Sequence, residues 1–217
     1  MRHNRFLFCA VAIALTLGVS QVAFGQLASR PAEEWSKTLE QPTRISGLKL
    51  DEIVGKLGLK PGNVVADIGA GPGVFEVALA KGVLPGGKVY AVELDEGFFD
   101  KINKRAAEAH ITNVQTVLGK YTDPNLPTRD VDIVLFHDVL HHVQDRPGYL
   151  KAVAGYLKPT GRVAIVDFKA AQGPHKDQPE LQAPEEQVDK WLTDAGLKPS
   201  EKIDLFTDKY FVIYSKR

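Results

Sequence analysis

The chain has 217 residues, of which 44% are hydrophobic and 25% charged, the balance of an ordinary soluble globular protein. A chain of this length forms one domain and can bury a core that is stable without disulfides or metals. Its 27 basic residues balance its 27 acidic residues, and this zero formal net charge disfavours nucleic acid as the default partner.

The first 25 residues have the pattern of a secretory signal. Two arginines precede an apolar run over residues 6–19, and small residues follow at Ala23 and Gly25. We therefore predict a signal peptide over residues 1–25, cleaved after Gly25, and an exported domain that is periplasmic or secreted. The alternative is an uncleaved segment that associates the protein with the membrane.

The only cysteine, Cys9, lies inside this predicted signal. A cleaved chain would contain no cysteine. It could then form no disulfide, no thiolate metal site and no cysteine nucleophile.

Residues 26–46 are polar and contain two prolines and Trp35, which predicts an N-terminal extension or lid. From residue 47 to the C-terminus, helical and strand patterns alternate. The predicted helices span 48–57, 74–81, 95–109, 147–157 and 185–195. The predicted strands span 63–68, 88–93, 113–118, 131–136, 161–168, 201–206 and 210–215.

The central strands are almost continuously apolar, which predicts an α/β fold with a mostly parallel sheet and helices on both faces. The short polar turn before the last strand predicts that this strand is antiparallel to the one before it.

A glycine-rich turn, residues 67–73 with the sequence Asp-Ile-Gly-Ala-Gly-Pro-Gly, follows the first strand and opens a helix. In open α/β sheets, ligands bind beyond the carboxyl ends of the strands, where glycines let the backbone approach them closely. A lone glycine turn is a weak signal, because phosphate and dinucleotide sites use one too.

Three details narrow the choice of ligand. A dinucleotide fingerprint needs its third glycine at position 74, which is Val74 here. Asp67, directly before the turn, would repel a pyrophosphate and attract a cationic ligand. Glu93 ends the second strand, where an acid can accept hydrogen bonds from ribose hydroxyls. Together they favour a ligand with a ribose, a positive charge and no phosphate, and S-adenosylmethionine (SAM) is such a ligand.

Residues 67–73, 89–95, 131–143 and 157–168 resemble the successive motifs of class I SAM-dependent methyltransferases, and the likeness extends over about residues 47–217. Within that superfamily the chain is most similar to small-molecule enzymes of the ubiquinone/menaquinone C-methyltransferase type. The resemblance implies a Rossmann-like seven-stranded sheet in the order 3-2-1-4-5-7-6 with strand seven antiparallel. It also implies SAM as cofactor and a small-molecule methyl acceptor.

By this resemblance Asp67 and Gly69 hold the amino-acid end of SAM, Glu93 holds the ribose, and Leu94 lies against the adenine. One departure concerns the residues after strand three, where family members often have Gly-Asp and this chain has Gly-Lys. Lys120 cannot accept a hydrogen bond from the adenine amino group, so that contact could fall to the backbone, Tyr121 or Asp123. The predicted cofactor-binding residues are Asp67, Gly69, Ala70, Gly71, Gly73, Glu93, Leu94, Lys120, Tyr121 and His137.

A His-Asp cluster, residues 137–142, follows the fourth strand at the same edge of the sheet. The resemblance places Phe136 and His137 near the methionine end of SAM. Methyl transfer needs a general base only when the nucleophile is weak, and His137 and Asp138 are the predicted catalytic residues for that task. His141 and His142 could instead cap the turn. A metal site from His137, His141 and His142 has little carboxylate support, and we predict no metal.

Other functions remain open at this stage. The alternative is an exported module that binds SAM or a nucleoside without catalysis. A nucleotide-dependent oxidoreductase is disfavoured by Asp67 and Val74. Methylation of protein or nucleic acid lacks a basic face, and the Asn-Pro-Pro-Tyr type of motif is absent after strand four. Two segments could close over the cleft: 27–46, with Trp35 and Arg44, and 170–184, with His175 and Lys176.

Overall fold

The computed structural model describes residues 31–216, which form one seven-stranded sheet with helices on both faces. The strands are β1 (Val64–Ile68), β2 (Lys88–Glu93), β3 (Val114–Leu118), β4 (Val131–His137), β5 (Leu157–Phe168), β6 (Leu197–Lys202) and β7 (Lys209–Lys216). The helices are α1 (Ala32–Leu39), α2 (Pro42–Gly47), α3 (Leu50–Lys56), α4 (Glu76–Gly82), α5 (Phe99–Glu108), α6 (Arg146–Ala154) and α7 (Glu185–Asp194).

The strand order is β3-β2-β1-β4-β5-β7-β6, which confirms the predicted order. The first five strands pair in parallel, and β7 is antiparallel to both β5 and β6. The order reverses between β1 and β4, so the carboxyl ends of these two strands flank a crevice at one edge of the sheet.

The two faces of the sheet bury separate apolar cores. In β4, Val134 and Phe136 point into one core, whereas Ile133 and Leu135 point into the other. This alternation is the period-two geometry of a strand buried on both sides, and it explains the apolar run over residues 133–136 of β4.

Several boundaries differ from the predictions by a few residues, and two of these differences have a clear structural reason. Strand six was predicted over 201–206, but β6 begins at Leu197, whose fully buried side chain starts the strand directly after the Gly196 turn. The helix predicted over 147–157 ends at Ala154, because Leu157 pairs with Val131 and already belongs to β5.

The N-terminal extension is helical and packs against the crevice edge. Ala32 of α1 lies in a small apolar core with Ala70, Phe98 and Ile102. Glu40, at the end of α1, forms ion pairs with Lys101 and Arg105 of α5.

Within residues 31–216 no helix combines the length and apolar character needed to cross a membrane. The predicted signal peptide over 1–25 lies outside the described residues, and so does the membrane association that would depend on it.

Candidate cofactor and acceptor site

The glycine turn after β1 follows a path that side chains would obstruct. Gly69 and Gly71 have left-handed backbone φ angles of 71° and 57°. A Cβ atom at Gly69 would lie 2.4 Å from a methyl group of Val139, in the loop after β4. The turn therefore combines positive φ with close contact between two loops, and both need glycine at position 69.

Gly73, the third glycine of the turn, does not line the cavity that the turn borders. A Cβ atom there would lie 3.1 Å from the backbone of Ile102 in α5. Its small size serves the packing of the turn against α5, and its predicted contact with the cofactor stays a prediction.

The floor of the cavity is acidic. Asp67 and Glu93 line it, and Glu76, in the first turn of α4, lies fully buried next to Asp67. Burial, followed by the neighbouring Glu76 carboxylate, raises the pKa of Asp67 well above its ordinary value. Burial also raises the pKa of Glu76 to about 7. We refer to Asp67, Glu76 and Glu93 as the acidic floor.

Glu93 is held in position by the backbone. Its two carboxylate oxygens accept hydrogen bonds from the amide of Gly71, at 2.6 Å, and from the amide of Leu94, at 3.0 Å. Burial raises the pKa of Glu93 despite these bonds. A carboxylate has about four acceptor positions, so two remain for hydroxyl groups of a ligand.

An apolar recess continues from Glu93 between the ends of β2 and β4. Leu94, Lys120 and Tyr121 line it, together with Ile68 and Tyr149. These three predicted residues therefore lie together and next to Glu93. Asp123 does not line the recess, because its carboxylate accepts hydrogen bonds from Tyr156 and from the Asn125 amide.

The opposite wall carries His137, which lines the cavity at the end of β4. Its side chain is buried, and within residues 31–216 its Nε2 atom has no hydrogen-bond partner. Burial lowers the pKa of His137 to about 4, so the imidazole is neutral at physiological pH and can accept a proton. Phe136 does not line the cavity; it is fully buried and packs edge-on against Tyr149.

Asp138 is paired with two cations. Its Oδ2 atom accepts a 2.7 Å hydrogen bond from Lys209 of β7 and lies 3.9 Å from the guanidinium of Arg44. Although burial opposes ionisation, His137, Lys209 and Arg44 together lower the pKa of Asp138. A carboxylate in this state is a poor proton acceptor, so the structure favours His137 over Asp138 as the base.

A second cavity of about 450 Å³ opens beyond this wall. It shares Trp35, Leu39, Arg44, Asp138 and His142 with the first cavity and adds His141, Phe168 and His175. Both predicted lid segments therefore reach the cleft. We call the first space the cofactor cavity and the second the acceptor cavity.

The comparison with known families agrees with this geometry. Residues 66–165, from β1 to β5, match the family described as a methyltransferase domain. The chain therefore contains a methyltransferase domain of the class I SAM-dependent type.

Three similar proteins illustrate the relationship. A 27-O-demethylrifamycin SV methyltransferase of Amycolatopsis mediterranei is 32% identical over 65% of this chain and 51% of its own length. A demethylmenaquinone methyltransferase of Symbiobacterium thermophilum is 30% identical over 54% of this chain and 47% of its own. The crystal structure of a SAM-dependent methyltransferase from Aquifex aeolicus has a TM-score of 0.75 and 25% identity, covering 85% of this chain and 98% of that one. The chain thus spans about half the length of these two curated relatives.

For this class I methyltransferase, sequence analysis missed three residues of the site. Glu76 carries no motif signal beyond its place in the first helical turn after the glycines. Lys209 pairs with Asp138 only because β7 inserts beside β5, 71 positions along the chain. Asp167 binds His141, and this pair could have been found, since both residues follow or end neighbouring parallel strands.

Proposed function

We propose that this methyltransferase transfers the methyl group of SAM to a small organic acceptor bound in the acceptor cavity. The observation that carries the proposal is the acidic floor joined to an apolar recess. SAM has a sulfonium and an ammonium group, a ribose and an adenine. The acidic floor complements the first three, and the recess complements the adenine.

The acidic floor also argues against phosphate-bearing ligands. Three carboxyl groups at or beneath the glycine turn would repel a pyrophosphate and leave it without the basic side chain that such sites use. A cation entering the same space favours ionisation of the carboxyls whose pKa burial has raised. The floor therefore discriminates by charge between SAM and NAD.

The size and lining of the acceptor cavity support a small acceptor. Its volume of about 450 Å³ lies in the range of small-molecule sites. The wall it shares with the cofactor cavity brings an acceptor bound there next to the methyl donor. The two curated relatives are named for a demethylrifamycin and a demethylmenaquinone, so their names support a small organic acceptor here.

The catalytic role that we assign to His137 is to accept the acceptor's proton as its nucleophilic atom attacks the methyl carbon. The carbon–sulfur bond breaks as the new bond forms, and the electron pair stays on the sulfur, which becomes neutral. The lowered pKa of His137 keeps the imidazole unprotonated at physiological pH, although it also makes the ring a weaker base than a free imidazole. Asp138, with its Oδ2 atom 3.6 Å from His137 Nδ1, orients the ring and stabilises the imidazolium that forms.

Export from the cytosol is proposed on residues 1–25 alone. SAM is made in the cytosol, so an exported methyltransferase would need a supply of it. If residues 1–25 were not cleaved and held the domain on the cytosolic side of the membrane, this difficulty would be removed.

The proposal is tested by calorimetric titration of SAM into the purified full chain, with NAD as the control ligand. We expect micromolar SAM binding, no NAD binding, and an affinity about 100-fold weaker in Glu93→Ala, which loses two hydrogen bonds to a charged acceptor. Glu93→Gln, which keeps the shape of the side chain, should fall between the two. A folded protein that does not bind SAM would overturn the proposal.

The catalytic part is tested separately with His137→Gln. SAM binding that persists in a protein without turnover on any small acceptor would favour the alternative of a non-catalytic SAM-binding module.

A further inference from the structure

Three histidine rings meet at the junction of the two cavities. His141 and His142 follow β4, and His175 comes from the loop after β5. One ligand nitrogen from each ring lies within 4.8 Å of the others. His137, which the sequence grouped with His141 and His142, is not part of this cluster.

Two hydrogen bonds orient the rings. His141 Nδ1 donates to Asp167 Oδ1 at 2.6 Å, and His175 Nδ1 donates to Gln178 Oε1 at 2.7 Å. Because the partner atoms are acceptors, each Nδ1 carries a proton, which leaves Nε2 as the ring atom that can bind a metal. Metal-binding histidines in proteins show this arrangement, with the second ring nitrogen bound to a carboxylate or carbonyl oxygen.

The loop that carries His175 is anchored on the same side of the sheet. Arg146 donates one hydrogen bond to the carbonyl of His141 and another, at 2.7 Å, to the carbonyl of Glu180. The side chain of Gln182 donates to the carbonyls of His175 and Lys176, at 3.3 and 2.9 Å. These contacts fix the loop next to the turn after β4, although the two segments are more than 30 residues apart.

We propose that His141, His142 and His175 bind a divalent transition metal ion, with Zn²⁺ as the preferred species. Three neutral imidazoles with one open coordination position are the donor set of catalytic zinc sites. The open position faces the acceptor cavity, which all three rings line. Asp167 supplies a negative charge behind His141 and offsets the nearby guanidinium of Arg146.

The cluster closes on the ion when it binds. Zinc–nitrogen bonds of about 2.0–2.1 Å place the nitrogens of a tetrahedral site about 3.3 Å apart. The rings must therefore approach one another by an ångström or so. His175 can supply this movement because it lies on a loop, whereas His141 is buried and bound to Asp167.

The proposed metal site also limits the chemical class of acceptor that the enzyme can methylate. This step rests on the proposed function. A hydroxyl group of the acceptor that takes the open position loses its proton more readily, because the metal withdraws electron density from its oxygen. The oxygen–hydrogen bond breaks and the proton passes to His137. The oxygen then forms its bond to the methyl carbon as the carbon–sulfur bond breaks. The preferred acceptor is thus a molecule that coordinates through a phenolic or alcoholic oxygen.

Zinc binding is tested by calorimetry on the full chain without an affinity tag, after removal of metal with a chelator. We expect one equivalent of Zn²⁺ per chain, with Co²⁺ giving the intense visible absorption of a four-coordinate site. His175→Ala should weaken zinc binding about 100-fold or more. Gln178→Ala, which removes only the outer partner, should weaken it about tenfold.

The matched control is His110→Asn, a change of an exposed histidine that lines neither cavity and has the positive φ that asparagine tolerates. This variant should bind zinc like the unmodified chain. Zinc affinity that is the same in His175→Ala and His110→Asn, or absent altogether from the folded protein, would overturn the proposal.

Titration of SAM into the same metal-free samples separates this proposal from the proposed function. His175→Ala should bind SAM with unchanged affinity. Loss of zinc binding with SAM binding retained therefore concerns the metal site alone.

Discussion

The acidic floor and the opposite wall of the cofactor cavity are both buried, yet burial shifts the pKa values of their groups in opposite directions. On the floor, the pKa values of Asp67, Glu76 and Glu93 are raised. On the wall, burial lowers the pKa of His137 to about 4 and that of His142 to about 3. Burial thus favours the uncharged form of the acids on the floor and of the histidines on the wall.

This difference suits the cavity to a reaction in which the sulfonium loses its positive charge and the acceptor releases a proton. A bound cation such as SAM favours ionisation of the floor carboxyls, whose pKa burial has raised. On the wall, the unprotonated His137 can receive the proton that the acceptor loses. The exception is Asp138, which stays ionised because Lys209 and Arg44 contact it.

The largest effect is expected from removing the main cation on the wall. Lys209→Met leaves the Asp138 carboxylate buried with only the more distant Arg44, so the free energy of unfolding should fall by about 3–5 kcal/mol. Urea denaturation measures it. Lys190→Met, at an exposed pair with Asp194, is the control and should be nearly unchanged. Equal losses in the two variants would contradict a special role for the wall.

The contact that joins floor and wall is broken by Gly69→Ala. Strain at positive φ and overlap with Val139 should together lower the free energy of unfolding by about 3 kcal/mol. SAM binding should be lost as well. Gly62→Ala isolates the backbone term, because Gly62 has a φ of 83° and open space around it. It should cost about 1 kcal/mol, and a similar loss in both variants would show that Val139 gives way.

The opposite pKa shifts predict opposite pH dependences of stability. A raised pKa in Glu76 means that the folded state holds a proton between about pH 4.5 and 7 that the unfolded chain has released, so stability falls as pH rises. A lowered pKa in His137 means that the unfolded chain takes up a proton between pH 6.5 and 4, so stability falls as pH falls.

Removing each group should therefore tilt the pH profile in opposite directions. Glu76→Gln should make the dependence of unfolding free energy on pH more positive by about 1.4 kcal/mol per pH unit, and His137→Gln should make it more negative by a similar amount. Denaturation at a series of pH values between 4.5 and 6.5 measures both slopes. If both variants changed the slope of unfolding free energy against pH in the same direction, the floor and the wall would not differ as described.

The smallest expected effect is on the pH dependence of SAM affinity. Because the SAM cation favours the ionised floor, and the pKa of Glu76 is about 7, SAM affinity should rise about tenfold from pH 6 to pH 8. S-adenosylhomocysteine, whose sulfur is neutral, serves as the control and should show a weaker dependence. Parallel profiles for the two ligands would place the charge discrimination elsewhere.

The sequence predicted the floor better than the wall. The family resemblance implied the sheet order, whereas Asp67, the glycine turn and Glu93 lie in short continuous segments whose spacing fixes their geometry. The wall is assembled from Arg44, Asp138 and Lys209, which lie in three distant segments that only the folded sheet brings together. The packing of Gly73 against Ile102 could not be predicted, because a glycine needed for packing and one needed by a ligand look alike in sequence.

The N-terminal helices have a consequence for kinetics. Leu39 approaches Gly71 of the glycine turn, Trp35 and Arg44 cover both cavities, and Glu40 fastens this segment to α5 through Lys101 and Arg105. We expect a bound cofactor to leave by a movement of α1 and α2, which would make product release a slow step. Since partly exposed ion pairs weaken as salt screens them, the residence time should shorten at high ionic strength. The turnover rate would then depend on charged residues on the outer side of α5, away from the transferred methyl group.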